Sequence, residues 1–262
     1  MKEFEGKLCV VTGAARGIGK AVAVKFAEKG AGVAMLDINR ELLAVSAGEV
    51  AERYGVKTWP VYVDASSTDS INQAMDQVLE AAGSPDVLAN CAGISTSRKL
   101  LDVEDGEWDR VMNINLRSMF TLSKRFARAA QEAGKRGGHI VSISSQASKL
   151  GEYGNGVYSI SKAGVNMLTQ ILGLELAELG ITVNAVCPGY VNTEMMQEVF
   201  QKRGPIEGMT PAEYEAALTA RIPYGRMCEP EEVAELMAFL ASPKADYVTG
   251  VTVTVAGGST LI

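Results

Sequence analysis

Seven short apolar runs, rich in β-branched residues, alternate along this chain with longer stretches of helical period, and that alternation constrains the fold more than any other feature. The runs at Leu8–Thr12, Gly32–Asp37, 58–63, 86–90, 139–144, 182–187 and 251–255 read as strands. Between them, residues 17–29, Arg40–Tyr54, 67–82, 105–132, 156–179 and Pro230–Leu240 repeat apolar positions at helical spacing. Strands that are apolar throughout, rather than on alternate residues, are buried on both faces. The expected class is therefore α/β, a doubly wound parallel sheet of about seven strands with helices on both faces. No repeat, low-complexity tract or linker divides residues 1–262, so a single domain is expected. The pattern fails only at 189–228, where Gly204, Pro205, Gly208 and Pro211 interrupt it. Ligands of open α/β sheets bind outside the carboxyl ends of the strands, which makes this irregular segment a substrate-lid candidate.

The turn from the first strand into the first helix reads Thr12-Gly13-Ala14-Ala15-Arg16-Gly17-Ile18-Gly19. Gly13, Gly17 and Gly19 permit a tight turn and let the backbone approach a pyrophosphate, which then rests on the N–H groups opening the helix. The spacing is Gly-x-x-x-Gly-x-Gly, not the commoner Gly-x-Gly-x-x-Gly. Asp37 ends the second strand, where a carboxylate accepts both ribose hydroxyls of an adenosine and repels a 2′-phosphate. A helix cap or a solvated strand end is the plainer alternative. Asp64-Ala65 stands where a carboxylate can take an adenine amino group, with the Ala65 N–H beside it. Asn90-Cys91-Ala92-Gly93 ends the fourth strand with small residues that leave room for a cofactor over the strand tips. Both segments serve equally well as turns.

Tyr158 and Lys162 are four apart on an expected helix and share a face. A free tyrosine titrates near 10. A lysine ammonium about 4 Å away favours the phenolate by about 4 kcal/mol at an effective dielectric of about 20, lowering the pKa by roughly three. Tyr158 then becomes a usable general acid/base for an alcohol; a surface Tyr–Lys pair is the alternative. Ser145, at the end of the fifth strand, can polarise a substrate oxygen and hold it by Tyr158, with Ser142 and Ser144 competing for that role. Asn115 is either exposed mid-helix, or bends the helix and holds a water that links Lys162 to solvent.

Other chemistries lack material. His139 is the one histidine, so neither a zinc site nor a histidine-based triad is expected, and no metal. A net charge of −6 argues against nucleic acid or an anionic membrane and leaves a small-molecule substrate. No signal-like segment precedes the first strand and no apolar run reaches about 18 residues, so a cytoplasmic protein is expected. Cys9, Cys91, Cys187 and Cys228 then read as reduced thiols in or beside apolar segments.

In joint order and spacing, residues 12–19, residues 90–93, Asn115, Ser145, Tyr158-x-x-x-Lys162 and Pro188-Gly189 resemble the short-chain dehydrogenase/reductase family in its compact single-domain branch, over essentially the whole chain. The resemblance implies a Rossmann fold and an oxidoreductase moving a hydride between a nicotinamide cofactor and a secondary alcohol or ketone. It implies Tyr158 as the acid/base, with Lys162 lowering its pKa and binding the nicotinamide ribose. Ser145 would position the substrate and Asn115 support a proton relay. Cofactor contacts would fall on Gly13, Arg16, Gly17, Ile18, Gly19, Asp37, Asp64, Ala65, Asn90, Ala92, Gly93, Tyr158, Lys162, Pro188, Gly189, Val191 and Thr193, the last reaching the carboxamide. A homotetramer through the two long helices, near 108–132 and 158–179, is also implied. Cys91 departs from the family's usual second asparagine. Arg16, before the second glycine, can accompany NADP in this family, whereas Asp37 points to NAD. A carboxylate facing a phosphate is the harder obstacle, so NAD is expected.

For the substrate, Ser95, Thr96 and Ser97 (with Arg98 and Lys99 following) and Gln146, Ser148, Glu152, Tyr153 and Asn155 offer hydrogen-bonding groups suited to a hydroxylated molecule. Gln146, with residues 222–226 and 241–247, resembles the polyol and vicinal-diol dehydrogenases of the family, sugar-alcohol phosphate enzymes included. The substrate candidates are Ser95, Ser145, Gln146, Glu152 and Tyr158. Met195, Met196, Phe200 and Met209 in the lid pull toward an apolar substrate. An acyl-thioester or steroid keto-reductase is therefore the alternative, and a nucleotide-binding protein without catalysis is the rival of another class.

Overall fold

The computed structural model describes residues 2–261. Strands β1 (Leu8–Thr12), β2 (Gly32–Asp37), β3 (Thr58–Tyr62), β4 (Val87–Asn90), β5 (Gly138–Ile143), β6 (Ile181–Pro188) and β7 (Thr252–Val255) form one parallel sheet ordered β3-β2-β1-β4-β5-β6-β7. Between and after them run α1 (Gly17–Glu28), α2 (Arg40–Tyr54), α3 (Thr68–Ala82), α4 (Asp105–Met112), α5 (Ser118–Glu132), α6 (Gly156–Glu175), α7 (Glu194–Ile206), α8 (Pro211–Thr219) and α9 (Pro230–Leu240). This is the Rossmann-like α/β fold the strand pattern implied.

β1 shows why both faces of the sheet need cover. All five of its residues are buried, and they alternate between two apolar cores. Cys9 and Val11 join Phe26, Val50 and Met237 from α1, α2 and α9. Leu8 and Val10 join Met75 of α3 and Phe126 of α5. The order of strands reverses between β1 and β4, and the register Thr12↔Leu36 and Val11↔Ala89 brings their carboxyl ends level. The glycine turn, Asp37 and residues 91–93 therefore meet at one switch point, where such sheets leave a crevice.

Two readings need correction. The expected helix over 105–132 is interrupted by a π-helical turn at Asn113–Arg117, a distortion that takes one extra residue per turn and often marks functional positions. The segment 189–228 is largely helical, carrying α7 and α8. Pro205 falls in the last turn of α7, where the intrahelical bond it removes is among the last before the helix stops. Gly208, at φ +73°, makes the turn, and Pro211 is tolerated as the first residue of α8 behind a Thr210–Glu213 capping box. Residues that read as breakers are thus the punctuation between two helices. Met196 and Met209 pack there on a small core of Phe200, Tyr214 and Leu218.

The four cysteines are unpaired. Among the described residues no helix is long and apolar enough to cross a membrane.

Candidate active site

Two adjoining cavities open at the carboxyl ends of the strands, one of about 310 Å³ and one of about 110 Å³. Ile18, Ile143, Tyr158, Thr193 and Met195 line both, so the cavities meet at the tyrosine.

The larger one is built on the glycine turn. A Cβ on Gly19 would lie 2.0 Å from the Gly13 carbonyl oxygen, and Gly13 itself has φ +65° and presses on Ala92. Only glycines let the turn close this tightly against the β4 loop. Asn39, Ser67, Thr193 and Thr210 cap α2, α3, α7 and α8 with their side chains, whereas Arg16 before α1 makes no such bond and the first turn holds no acid. The opening N–H groups of α1 therefore have no side chain competing for them, which suits an anion. Arg16, Gly17, Ile18, Asp37, Asp64, Ala65, Ala92 and Gly93 line the same cleft. Asp37 is braced by the backbone N–H groups of Ala15 and Asn39 at 3.1 and 2.9 Å, and Asp64 by Ser66. Asn90 lies beneath the cleft, fully buried, its amide nitrogen 3.1 Å from Ser142 Oγ and its Oδ1 without a partner among the described residues. Pro188, Gly189 and Val191 line the smaller cavity instead, and Thr193 borders both. A glycine cradle, an uncapped helix start and a carboxylate at the β2 tip fit a dinucleotide.

The reacting end rests on β5 and α6. The competition among the serines is resolved by their partners: Ser142 takes the Asn90 amide, and Ser144 donates to the Lys162 carbonyl at 3.1 Å. Ser145 remains, lining the smaller cavity with Tyr158 and steadied by the Ala147 N–H at 3.1 Å. Lys162 is buried, its Nζ 5.7 Å from the centre of the Tyr158 ring and 2.8 Å from the Ile143 carbonyl to which it donates. Asn115 is fully buried rather than exposed. It accepts from Ile94 N–H and donates to Ile94 O and Ser161 Oγ, tying the loop after β4 to α6 just where the π turn allows its side chain inward. A Cβ on Gly93 would lie 3.3 Å from Asn115 Oδ1 and 3.5 Å from Lys162 Nζ, so the three form one wall.

The expected lowering of the Tyr158 pKa by Lys162 does not hold in this geometry. Burial pushes Tyr158 up to about 12, and the group that pulls it back down is the Ser145 hydroxyl. Burial also drops Lys162 to about 8. Desolvation outweighs the nearby charge: both side chains are buried, and the ammonium donates to the Ile143 carbonyl.

In the smaller cavity Ser95, Thr96, Ser97, Gln146, Glu152 and Asn155 come together, whereas Ser148 and Tyr153 lie outside its lining. Arg98 and Lys99 do not join them, because Arg98 pairs with Glu107 at 3.0 Å and Lys99 sits over the Tyr153 ring. Tyr190 and Arg203 line the wall too, and no sequence pattern marks Arg203. It stands on α7, 3.6 Å from the Glu152 carboxylate, a pairing between distant residues that no local pattern encodes.

A family model described as enoyl-(acyl carrier protein) reductase matches residues 13–260. The chain is 38% identical over 97% of its length to a 3-oxoacyl-[acyl-carrier-protein] reductase FabG from Thermotoga maritima, covering 98% of that protein. It belongs to the short-chain dehydrogenase/reductase family. It is 36% identical to a sorbitol dehydrogenase from Cereibacter sphaeroides, over 98% of each chain. Its fold matches L-sorbose reductase from Gluconobacter frateurii, solved with NADPH and L-sorbose, with a TM-score of 0.92, 26% identity and coverage of 99% and 98%. As a short-chain dehydrogenase/reductase the protein is an oxidoreductase, and the family binds a nicotinamide cofactor.

Proposed function

We propose that this short-chain dehydrogenase/reductase moves a hydride between NAD(H) and a small, uncharged polyhydroxylated ketone or alcohol. The carrying observation is that Ser95, Thr96, Ser97, Gln146 and Asn155 set hydrogen-bonding side chains in the wall of the smaller cavity, where a bound substrate would cover them. A buried polar atom left unpaired costs about 1–3 kcal/mol, and substrate hydroxyls supply partners that an alkyl chain does not. Glu152 and Arg203, the charged side chains of that wall, face each other, which supports a neutral polyol over a phosphorylated one. The likeness to sorbitol dehydrogenase and L-sorbose reductase agrees with this.

The bound nicotinamide supplies or takes the hydride. The chain's own residues manage the oxygen and the proton: Ser145 donates to the substrate oxygen, and Tyr158 exchanges the proton with it. A phenol with its pKa pushed up to about 12 is protonated at neutral pH, so ketone reduction is the direction this site favours. Asn115 supports the relay by holding Ile94 and Ser161 in place. The exposed apolar residues Phe120, Met167, Ile171 and Leu174 on α5 and α6 support a homotetramer built through those helices.

Asp37 supports NAD over NADP, because its carboxylate faces the cleft with both oxygens braced by N–H groups. Asp37→Ser should raise the NADPH/NADH ratio of kcat/KM by roughly tenfold or more, the size of one screened like-charge contact. An unchanged ratio would return cofactor choice to Arg16.

A second reading is favoured by the FabG likeness and by Met195, Met196, Val199 and Leu218 on the cavity wall: reduction of an acyl thioester. NADH oxidation with a panel of ketoses, their phosphates, simple ketones and acetoacetyl thioester decides between the two. The polyol reading expects the highest kcat/KM with an unphosphorylated ketose; turnover confined to the thioester would replace it.

A further inference from the structure

Gln146 follows Ser145 directly and is buried in the wall of the smaller cavity, yet proton transfer gives it no task. Its side-chain oxygen is held by two hydroxyls. Ser259 Oγ and Thr260 Oγ1 lie 2.9 and 3.0 Å from Gln146 Oε1, and Tyr190 shares the cavity wall with Gln146. Ser259 has one proton and a second acceptor, the Ala256 carbonyl at 2.8 Å. The buried Thr260 is therefore the dedicated donor. A glutamine amide can face either way, and its neighbours decide which; hydroxyl protons on the oxygen leave the NH2 to face the cavity.

The segment that carries Thr260 is itself fixed. The Gly257 carbonyl accepts from Tyr224 N–H at 3.0 Å, and Gly258 packs so closely that a Cβ would lie 3.0 Å from Pro223. On the other side, a Cβ on Gly189 would lie 3.0 Å from Ala256 and 3.1 Å from Gln146 Oε1. The end of β6, the residues after β7 and the return from α8 close around one carboxamide.

We propose that Thr260 is a specificity-determining positioning residue, which locks the Gln146 oxygen away from the substrate so that the amide presents a donor to the cavity. A substrate oxygen next to the reacting carbon is then bound as an acceptor, and a molecule without one leaves that donor unpaired. The inference requires Gln146 in the cavity wall and no particular substrate, so it stands or falls separately from the polyol reading.

The test is Thr260→Val, which keeps shape and removes the hydroxyl, with Thr260→Ser as the rescue. With L-sorbose or acetoacetyl thioester, whichever is turned over, KM for the carbonyl substrate should rise about three- to tenfold, the worth of one hydrogen bond, with kcat and the NADH KM within twofold. Thr260→Ser should restore it. In a Gln146→Ala background Thr260→Val should add less than twofold, because the hydroxyl acts through that amide. Independently of turnover, the Gln146 side-chain amide protons in a nitrogen-15 spectrum should exchange faster in Thr260→Val and slow again in Thr260→Ser. Losses that add fully to those of Gln146→Ala, or amide exchange unchanged by Thr260→Val, would overturn the proposal.

Discussion

Replacing Tyr158 by phenylalanine is expected to lower kcat by at least about 10²-fold and as much as about 10⁴-fold, the range of general acid/base catalysis. The ring keeps its packing and the glycine turn lies elsewhere, so the NADH KM should stay within a few-fold. The direction of the tyrosine's shift adds a pH signature to the parent enzyme. Burial pushes Tyr158 up to about 12, so the proton donor for ketone reduction is loaded throughout the neutral range, while alcohol oxidation needs the scarce phenolate. Oxidation should therefore keep rising as pH passes 8, and reduction should not. Steady-state rates in both directions from pH 6 to 10, with and without the hydroxyl, check this. Substantial turnover by the phenylalanine protein would mean another base is at work, and Ser145, Asn115 and Lys162 would lose the roles proposed for them.

The architecture was legible because its signals are local. A run such as 8–11 is apolar on every residue, and only a strand covered on both faces has use for that. The glycine turn, Asp37 and the Tyr158–Lys162 spacing were legible for the same reason. What escaped depends on the alternatives a residue has in three dimensions. Pro205, Gly208 and Pro211 read as a broken segment, since helix punctuation and disorder share the same residues. Ser142, Ser144 and Ser145 are indistinguishable in the sequence and are separated only by which partner takes each proton. Arg203 reaches the cavity, and Thr260 the Gln146 side chain in its wall, from 45 and 102 positions beyond Tyr158 in the numbering, without any periodicity to announce them. The Tyr158 pKa went astray because a charge was counted and the burial of the phenol was not.

Lys162→Met should produce the other large effect, and in two directions at once. Lys162 is 2% exposed, and burial lowers its pKa from 10.5 to about 8. The folded protein therefore binds fewer protons than the unfolded chain between those values. Below pH 8 both states carry the charge and the cost of burying it is fully present, on the order of 3 kcal/mol. As pH rises through that window the folded state sheds its proton first and the cost disappears. Methionine fills similar space without the charge, although it leaves the Ile143 carbonyl without the donor now 2.8 Å away, a loss of about 1–3 kcal/mol. The opposing terms leave a net gain of roughly 1 kcal/mol at pH 7, or about 2–4 °C in Tm for a domain of this size, which turns into a loss of roughly 1 kcal/mol by pH 10 as the parent sheds its buried charge. Activity should move the other way, by at least about 10²-fold, because the buried ammonium lines the dinucleotide cleft and its preorganised charge toward the nicotinamide ribose is lost. Thermal unfolding at pH 7 and pH 10, paired with steady-state kinetics, tests both halves. A methionine variant that is equally active, or whose stability relative to the parent does not fall between pH 7 and 10, would show that Lys162 is held there without strain and without catalytic purpose. The expected pairing, a protein made more stable and far less active by one substitution, is what a site that retains a buried charge for its chemistry should give.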